Sequence, residues 1–335
     1  MRILIIQTAF IGDLILTLPL IQTLKKNIPD STIDLLCIPY TKEVVKNNPY
    51  ISNVIVFDKH KKKSIKDIIY LANNLKKEKY EYAFLPHRSI RSGLIAMLSK
   101  IENRIGFKKT LFDFLYTESV EYQSNIHEID RNLSLIKFLK FKEIYRIPEL
   151  FPDDSDKFFV NDFLDNNNIT EKFVCIAPGS KWFTKRWPID YFIELIKMFN
   201  NENIKVILIG GKEDSDICNS ITIEINNIIN TSGIFSLLQT AELIKRSSLL
   251  ISNDSAPIHI ATSMNTPVID IYGPTTPEIG FYPLSEKSIS IEIKDLNCRP
   301  CKIHGGNKCP VRTFDCMKNI LPENIFRAAM EMLKI

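Results

Sequence analysis

The sequence has no long hydrophobic run and no segment typical of secretion. No stretch of 18 or so apolar residues occurs in it, and a helix needs about that length to cross a bilayer. The opening residues contain one arginine, a short apolar run and then an acid, without the small-residue cleavage site of a signal peptide. We therefore expect a cytoplasmic protein, at most peripheral at a membrane surface.

A strong charge of one sign is also missing. Lys and Arg number 43 against 39 Asp and Glu. Aromatic and basic residues do not interleave along one face, so no nucleic-acid partner is expected. The mild positive balance suits contact with an anionic membrane surface, and an ordinary basic protein with solvated lysines fits it equally well. The run KHKKK (59–63) is read as a solvated turn or a weak membrane contact.

Two nucleotide-binding signatures are absent as well. Neither GxGxxG nor GxxxxGK[ST] occurs in the sequence. The first marks dinucleotide-binding folds and the second marks P-loop enzymes. Neither a dinucleotide-dependent oxidoreductase nor a P-loop enzyme is therefore favoured, and we expect no cofactor.

Cysteine is too scarce and too unevenly placed for a disulfide scaffold. The chain has seven cysteines, an odd number, and a chain of this length does not need covalent staples. Four of them lie close together near the C-terminus: Cys298, Cys301, Cys309 and Cys316. A structural zinc site, reduced packing thiols and a labile disulfide are the three alternatives for this cluster.

What the sequence does contain is a repeated alternation of apolar runs and helical patterns. Strands are predicted at 2–6, 33–38, 53–57, 82–86, 173–179, 205–211, 249–254 and 267–273. Helices are predicted at 14–26, 65–77, 92–99, 188–200, 214–226, 236–246, 256–264 and 322–333. Such alternation is typical of an α/β fold with parallel sheets covered on both faces.

The length of 335 residues suits two domains of about 150 residues each. The proline-rich and acidic stretch at 148–156 is typical of an exposed linker. We therefore expect one domain at 1–150, a second at 157–320, and a terminal helical segment at 321–335 that packs on either domain.

Chemically informative residues follow several predicted strands, where open α/β sheets bind ligands. Lys181, Lys185 and Arg186 place three cations after the strand at 173–179, which suits a diphosphate. Glu213 follows the next strand and could reach ribose hydroxyls. Asp254 and Ser255 precede a helix whose first N–H groups form an anion site. Each group has an ordinary alternative. The three cations could form a solvated basic loop, Glu213 could be an acid at a helix start, and Asp254 and Ser255 could be ordinary helix caps.

These segments together resemble glycosyltransferase family 9, the lipopolysaccharide heptosyltransferases. The likeness rests on RILIIQTAFIGDLILTLPLIQTLK, PGSKWFTKRWP, IGGKED, SNDSAPIHIA, PVIDIYGPTTP and the C-terminal cysteine segment. The cysteine segment resembles the ADP-heptose:lipopolysaccharide heptosyltransferase II branch. The resemblance implies a GT-B fold, with two Rossmann-like domains facing each other across a cleft. It also implies an inverting, metal-independent transfer of heptose from ADP-heptose.

The resemblance assigns roles to individual positions. Asp13 matches the catalytic base, although it also lies where a helix N-cap belongs, and a capping carboxylate is a weaker base. The positions that match the donor site are Ser180, Lys181, Lys185, Glu213, Phe235, Asp254, Ser255, Ala256, Pro257 and His259. Phe235 falls where the family packs an apolar side chain on adenine. Many relatives have Asp-Thr-Gly where this chain has Asp-Ser-Ala, a change that keeps a hydroxyl and loses a glycine.

An inner-core acceptor such as heptosyl-Kdo-lipid A is a polyanion at the inner face of the inner membrane, so its binding surface should be basic. His87, Arg88 and Arg91 follow the strand at 82–86 and are the expected acceptor contacts. The alternative is that these three residues are cations at a helix start that face solvent and bind no acceptor. Two other functions fit the same sequence: a family 9 transferase with another nucleotide sugar or acceptor, and a non-catalytic nucleotide-binding GT-B protein.

Overall fold

The structure is a computed structural model that describes residues 1–59, 61–62, 64–108, 111–225 and 228–334. His60 and Lys63 of the KHKKK run lie outside these residues, as do Asn226, where one helix was predicted to end, and Ile335. The chain divides into two compact units, Met1–Phe151 and Pro152–Ile335, called here the N-terminal and C-terminal units. No helix in the described ranges is both long enough and apolar enough to cross a membrane.

The N-terminal unit contains a six-stranded parallel sheet with helices between its strands. Its elements are β1 (Arg2–Ile6), α1 (Ile11–Ile15), α2 (Leu18–Asn27), β2 (Thr32–Cys37), β3 (Asn53–Val56), α3 (Ile65–Lys77), β4 (Tyr82–Leu85), α4 (Ile90–Leu98), β5 (Asn103–Phe107), β6 (Glu118–Val120) and α5 (Glu128–Ser134). The strand order is β3-β2-β1-β4-β5-β6. Every neighbouring pair is parallel.

The C-terminal unit repeats this arrangement. Its elements are α6 (Asp154–Asn166), β7 (Phe173–Ala177), α7 (Ile189–Asn201), β8 (Lys205–Leu208), α8 (Ser215–Glu224), β9 (Ile229–Asn230), α9 (Leu237–Arg246), β10 (Leu249–Asn253), α10 (Ala256–Ser263), β11 (Val268–Tyr272), β12 (Ser288–Glu292), α11 (Asp315–Lys318) and α12 (Pro322–Leu333). The order β12-β11-β10-β7-β8-β9 is that of the first sheet. Both are Rossmann orders, so the predicted α/β class with two Rossmann-like domains is confirmed.

Burial of isoleucine and leucine explains why the central strands form. Residues 3–6 of β1 and all of β7 and β10 are buried, as expected for strands covered by helices on both faces. In the C-terminal unit, one face of the sheet packs against α7, α8 and α12, with Trp187 among its largest fully buried side chains. The terminal helix α12 contacts α7, β10 and β11, so it packs on this unit.

Several local predictions differ from the structure. The helix predicted at 14–26 is two helices, because Pro19 occupies the first turn of a new helix, α2. Helix α6 begins inside the stretch predicted as a linker, since Asp153 accepts a hydrogen bond from the Asp156 N–H at 3.0 Å and caps it. Strands β5, β6, β9 and β12 were not predicted from sequence: β6 and β9 have only three and two residues, β12 is partly buried throughout, and β5 begins with two partly buried polar residues.

Candidate active site

In each sheet the strand order reverses at one point, and the residues after the strands there form the candidate site. In the N-terminal unit the reversal lies between β1 and β4, and in the C-terminal unit it lies between β7 and β10. Connections leave such a pair of strands in opposite directions, so a crevice opens at the carboxyl ends of the strands.

In the N-terminal unit, the segments after β1 and β4 are joined by polar contacts. The Thr8 hydroxyl lies 3.2 Å from His87 Nδ1. Lys59 Nζ donates to the Thr8 carbonyl at 2.6 Å, and Arg91 Nη1 donates to the Lys59 carbonyl at 2.9 Å. His87 and Arg91 are therefore placed at the end of the sheet as predicted. Lys59, which was read as part of a solvated turn, belongs to the same network.

Arg88, the third predicted acceptor contact, is exposed and lies over an aromatic ring. Its guanidinium carbon is 4.5 Å from the Tyr122 ring centroid. Stacking on the ring orients the guanidinium while leaving it accessible, and planar guanidinium groups suit carboxylates and phosphates. The role of these cations in acceptor binding stays a prediction.

Asp13 lies on α1, but it is not the N-cap as the sequence suggested. Helix α1 begins at Ile11 and its N-cap is Phe10. Asp13 Oδ2 accepts a hydrogen bond from the Phe10 N–H at 3.1 Å, so the carboxylate reaches back to the helix start from the third position. The Thr17 hydroxyl donates to the Asp13 carbonyl at 2.8 Å, which fixes the backbone there. Asp13 is partly exposed, which a proton acceptor for a substrate requires.

Sequence reasoning missed a group of charged residues near Asp13. Glu128 and Arg131, both on α5, are buried and joined by a hydrogen bond of 2.6 Å. Burial raises the pKa of Glu128 to about 7, the positive charges of Arg131 and Arg88 oppose the rise, and the negative charge of Asp13 adds to it. The sequence signal was a glutamate and an arginine three residues apart on one helix face, a pattern usually found on solvated surfaces.

In the C-terminal unit, a buried asparagine fixes the ends of β7 and β10 relative to each other. Asn253 Nδ2 donates to the Pro178 carbonyl at 2.8 Å, and Asn253 Oδ1 accepts from the Trp187 N–H at 3.0 Å. The Trp187 indole donates to the Ile320 carbonyl at 2.9 Å. The loop that carries the predicted donor-site cations is therefore held at both of its ends.

Lys185 and Asp254, predicted separately as donor contacts, form a buried ion pair. Lys185 Nζ lies 2.5 Å from Asp254 Oδ2, and the two side chains are 12% and 6% exposed. The Thr275 hydroxyl donates to the same oxygen at 2.6 Å. The positive charge of Lys185 is therefore balanced by a carboxylate in this structure.

The other two cations of the loop differ in accessibility. Lys181 is exposed, with its ammonium 5.8 Å from the Trp182 ring centroid. Arg186 Nε donates to the carbonyl of Ser180, a buried residue, at 2.7 Å and thereby holds the loop. Lys181 is the cation of this loop that a diphosphate could meet in solvent.

Next to this loop, Asp214, which is not among the predicted site residues, lies close to Gly179 and Gly210. A Cβ atom on Gly179 would lie 2.0 Å from Asp214 Oδ1, and one on Gly210 would lie 2.8 Å from Asp214 Cβ. Asp214 Oδ2 accepts from the Gly211 N–H at 3.0 Å. Burial raises the pKa of Asp214, and the Gly211 hydrogen bond opposes the rise. Glu213, the predicted ribose contact, is exposed on the neighbouring turn.

Helix α10 begins directly after β10, as predicted. Ser255 is its N-cap, and Ala256 and Pro257 form its first turn. The Ser255 hydroxyl donates to the Asn253 carbonyl at 3.2 Å and does not cap the helix. Asp254 does not cap the helix either, because its carboxylate binds Lys185. His259 is buried one turn further on.

Phe235, predicted to contact adenine, is partly exposed and packs against α6. Its ring centroid lies 5.2 Å from that of Phe159 and 4.8 Å from that of Phe163, both edge to face. Such contacts hold an aromatic side chain in one orientation. The contact with adenine stays a prediction.

A second carboxyl lies behind the Lys185–Asp254 pair. Asp270 is fully buried on β11, paired in register with Ser252 of β10, and neither carboxyl oxygen has a hydrogen-bond partner among the described residues. Burial raises its pKa well above the ordinary value, the charge of Asp254 adds to the rise, and Lys185 opposes it. Burial therefore favours the neutral form of Asp270 next to the ion pair.

The C-terminal cysteine segment packs against both loops of this site. Arg299 donates to the Gly273 and Thr275 carbonyls at 2.5 and 2.6 Å and to Glu292 at 2.8 Å. The Thr184 hydroxyl donates to the Gly306 carbonyl at 2.9 Å. The segment therefore holds Thr184, which precedes Lys185, and Thr275, whose hydroxyl binds Asp254.

The four clustered cysteines of this segment, Cys298, Cys301, Cys309 and Cys316, are free thiols. Among the described residues, no three His, Cys, Asp or Glu side chains are grouped so that they could hold a metal ion. None of these four cysteines forms a disulfide in this structure.

Three comparisons with known proteins agree with this architecture. Residues 68–308 match the model of glycosyltransferase family 9 (heptosyltransferase). Lipooligosaccharide heptosyltransferase 2 of Campylobacter jejuni is 25% identical over 342 residues, covering 100% of this chain and 99% of that protein.

Two solved structures share the fold. A family 9 glycosyl transferase from Veillonella parvula has a TM-score of 0.88 at 23% identity, covering 99% of this chain and 97% of that one. The ADP-heptose lipopolysaccharide heptosyltransferase II of Escherichia coli has a TM-score of 0.82 at 21% identity, covering 99% and 98%.

Proposed function

This chain belongs to glycosyltransferase family 9, and from that membership we propose that it transfers L-glycero-D-manno-heptose from ADP-heptose to a lipopolysaccharide inner core. The proposed acceptor is heptosyl-Kdo-lipid A, a lipid held at the inner face of the inner membrane. The enzyme would then work in the cytoplasm and meet that surface peripherally. The C. jejuni relative and the E. coli structure, both heptosyltransferases by name, support this substrate class.

The observation that carries the proposal is the set of residues at the β7–β10 reversal. A diphosphate needs cations and N–H donors, and this end of the sheet offers Lys181, Lys185 and the first turn of α10. Acidic groups beside it, Glu213 and Asp254, suit the hydroxyls of a ribose and a sugar. We assign the donor to the C-terminal unit and the acceptor to the N-terminal unit.

In the proposed inverting reaction, an acceptor hydroxyl attacks the anomeric carbon on the side opposite ADP. The O–H bond breaks and its proton goes to the Asp13 carboxylate, while the bond from the anomeric carbon to the phosphate oxygen breaks with its electron pair on ADP. The hydrogen bond from the Phe10 N–H orients Asp13 for this role.

Stabilisation of the departing phosphate is assigned mainly to Lys185, helped by Lys181 and the N-terminus of α10. Asp254 balances Lys185 before the donor binds. A donor that draws Lys185 towards its phosphates would leave Asp254 to accept hydrogen bonds from sugar hydroxyls. The ion pair thereby keeps two buried charges compensated in the absence of donor.

On the acceptor side, Arg88 is the exposed cation above Tyr122, and His87 and Arg91 flank it at the β4 end. Carboxylates of Kdo match the planar guanidinium of Arg88. His87 and Arg91, which are tied to Thr8 and Lys59, shape this surface.

A transfer assay tests the proposal. ADP-heptose, and then UDP- and GDP-sugars, are each paired with Kdo-lipid A and with heptosyl-Kdo-lipid A, and products are resolved by mass. We expect transfer from ADP-heptose only. The Asp13→Asn variant should bind ADP normally and lose roughly 100-fold or more of turnover. Asp30→Asn, a change at an exposed aspartate of the same unit, serves as the control.

Each result decides between specific alternatives. Transfer from a UDP- or GDP-sugar instead would replace the donor, and transfer only to another acceptor would replace the lipopolysaccharide. Nucleotide binding without transfer to any acceptor would favour a non-catalytic protein. Wild-type turnover by Asp13→Asn would remove Asp13 as the base.

A further inference from the structure

The N-terminal unit contains a buried ion pair at the start of α5, close to Asp13. Glu128 is the first residue of α5 and is 8% exposed, and Arg131 is 1% exposed. Their hydrogen bond joins Arg131 Nε to Glu128 Oε2 at 2.6 Å. Arg131 also donates to the carbonyls of Gln123 and Ser124, each at 3.2 Å. Arg131 is thus fixed by protein groups and too buried to meet a ligand.

Helix α5 is held against the end of α1, which carries Asp13. Asn132 Nδ2 donates to the carbonyl of Leu16, the residue that ends α1, at 3.0 Å. Glu128 lies one turn before Asn132. The negative charge of Asp13 raises the pKa of Glu128, and by the same repulsion the charge of Glu128 disfavours the charged form of Asp13.

Charged and titratable groups act on Glu128 from several elements of the N-terminal unit. Asp13 comes from α1, Arg88 from the loop after β4, Tyr122 from the segment after β6, and Arg131 from α5 itself. The guanidinium carbons of Arg88 and Arg131 lie 4.5 and 5.1 Å from the Tyr122 ring centroid. His127, the N-cap of α5, accepts from the Ile129 N–H through Nδ1.

The negative charge of Glu128 offsets a weakness of Asp13 as a base. A carboxylate at a helix start that accepts a backbone N–H holds its proton poorly, because both features stabilise the charged form. A second negative charge in a buried position has the opposite effect and makes proton uptake by Asp13 more favourable. Arg131 keeps Glu128 in place without reaching the substrate.

We propose that Glu128 is a positioning residue for the transfer reaction: its carboxylate, held by Arg131, sets the strength of Asp13 as a proton acceptor. This rests on the proposed function of Asp13. When the acceptor hydroxyl gives its proton to Asp13, the repulsion between the two carboxylates is relieved. Transition-state formation is therefore favoured while Glu128 is ionised, and burial places the pKa of Glu128 at about 7.

The test uses the full chain with Glu128→Gln, which keeps the shape and an oxygen for Arg131. Glu128→Asp keeps the charge, and Glu118→Gln at an exposed position of β6 is the matched control. The first readout is the pH dependence of kcat and kcat/KM in the transfer assay. The second is the carboxyl-carbon NMR titration of Asp13 without substrates.

We expect Glu128→Gln to lower the Asp13 pKa and to shift the acidic limb of kcat/KM to lower pH by the same amount. Plateau kcat should fall on the order of 3- to 10-fold with KM nearly unchanged, because a weaker base accepts the proton less readily. Glu128→Asp should recover most of kcat, and Glu118→Gln should match the wild type.

An unchanged Asp13 titration in Glu128→Gln overturns the proposal, and so does a rise in KM without a change in the pH profile. If Glu128→Gln does not fold, the wild type alone decides, because the Asp13 signal must show a second inflection near pH 7 as Glu128 ionises. If the wild type transfers no sugar, the proposed function fails, while the Asp13 titration still tests the coupling.

Discussion

Replacing Lys185 by methionine should destabilise the C-terminal unit, because it leaves a buried carboxylate without its cation. Lys185 Nζ lies 2.5 Å from Asp254 Oδ2, and the two side chains are 12% and 6% exposed. Removing one member of a buried ion pair costs about 3 to 5 kcal/mol. Asp254 keeps the Thr275 hydroxyl, so we expect a loss of about 3 kcal/mol, the lower end of that range.

For a unit of this size, a loss of about 3 kcal/mol lowers the unfolding temperature by roughly 6 to 12 °C. The assay is differential scanning calorimetry at pH 7.5 on the wild type, Lys185→Met, Asp254→Asn and the double variant. The double variant should be more stable than the sum of the two single losses implies, because no buried charge is left unpaired. Lys197→Met, at an exposed lysine of α7, is the control.

Adding ADP extends this test from stability to function. ADP at about 100 times its dissociation constant should stabilise the wild type by about 2.7 kcal/mol. Lys185→Met should lose most of that gain if Lys185 meets the diphosphate. An unfolding temperature of Lys185→Met within about 2 °C of the wild type, or additive losses in the double variant, would refute the buried pair.

Three further changes probe other parts of the C-terminal unit. Asp270→Leu should raise stability by about 1 to 3 kcal/mol at pH 8. The pKa of Asp270 is raised in the folded state, so the wild type loses stability as pH rises above the ordinary value of 3.8, and the gain measured by urea unfolding should become smaller towards pH 4. Gly179→Ala should cost about 1 to 3 kcal/mol in the same assay, because its Cβ would meet the Asp214 carboxylate; an unchanged midpoint would contradict that close approach. Arg299→Lys should release the cysteine segment, and faster labelling of Cys298 by a thiol reagent reports it; a labelling rate equal to that of the wild type would show that Arg299 does not hold the segment.

The sequence predicted the central architecture because the strands of a covered parallel sheet must be almost entirely apolar. The run at 2–6, four of whose five residues are isoleucine or leucine, needed no further context to be read as a buried strand. The edge strands β6 and β9 have three and two residues. Such short segments gain their strand conformation from the neighbouring strand, which local sequence does not reveal.

For the site, the sequence determined which residues follow each strand, and therefore which side chains could meet a ligand. The tertiary structure decided how those side chains are paired. Lys185 and Asp254 are 69 positions apart and were selected separately, yet they neutralise each other. Asp13 looked like an N-cap, and only the start of α1 at Ile11 places it in the third helical position.

Glu128 and Asp270 show most clearly what sequence alone does not reveal. By sequence, Glu128 is a charged residue on a short helix and Asp270 is a single acid within an apolar strand. Burial and neighbouring charges raise the pKa of Glu128 to about 7 and that of Asp270 well above its ordinary value. Local sequence sets backbone conformation over a few residues, whereas the protonation of a side chain depends on the solvent and charges that folding brings around it.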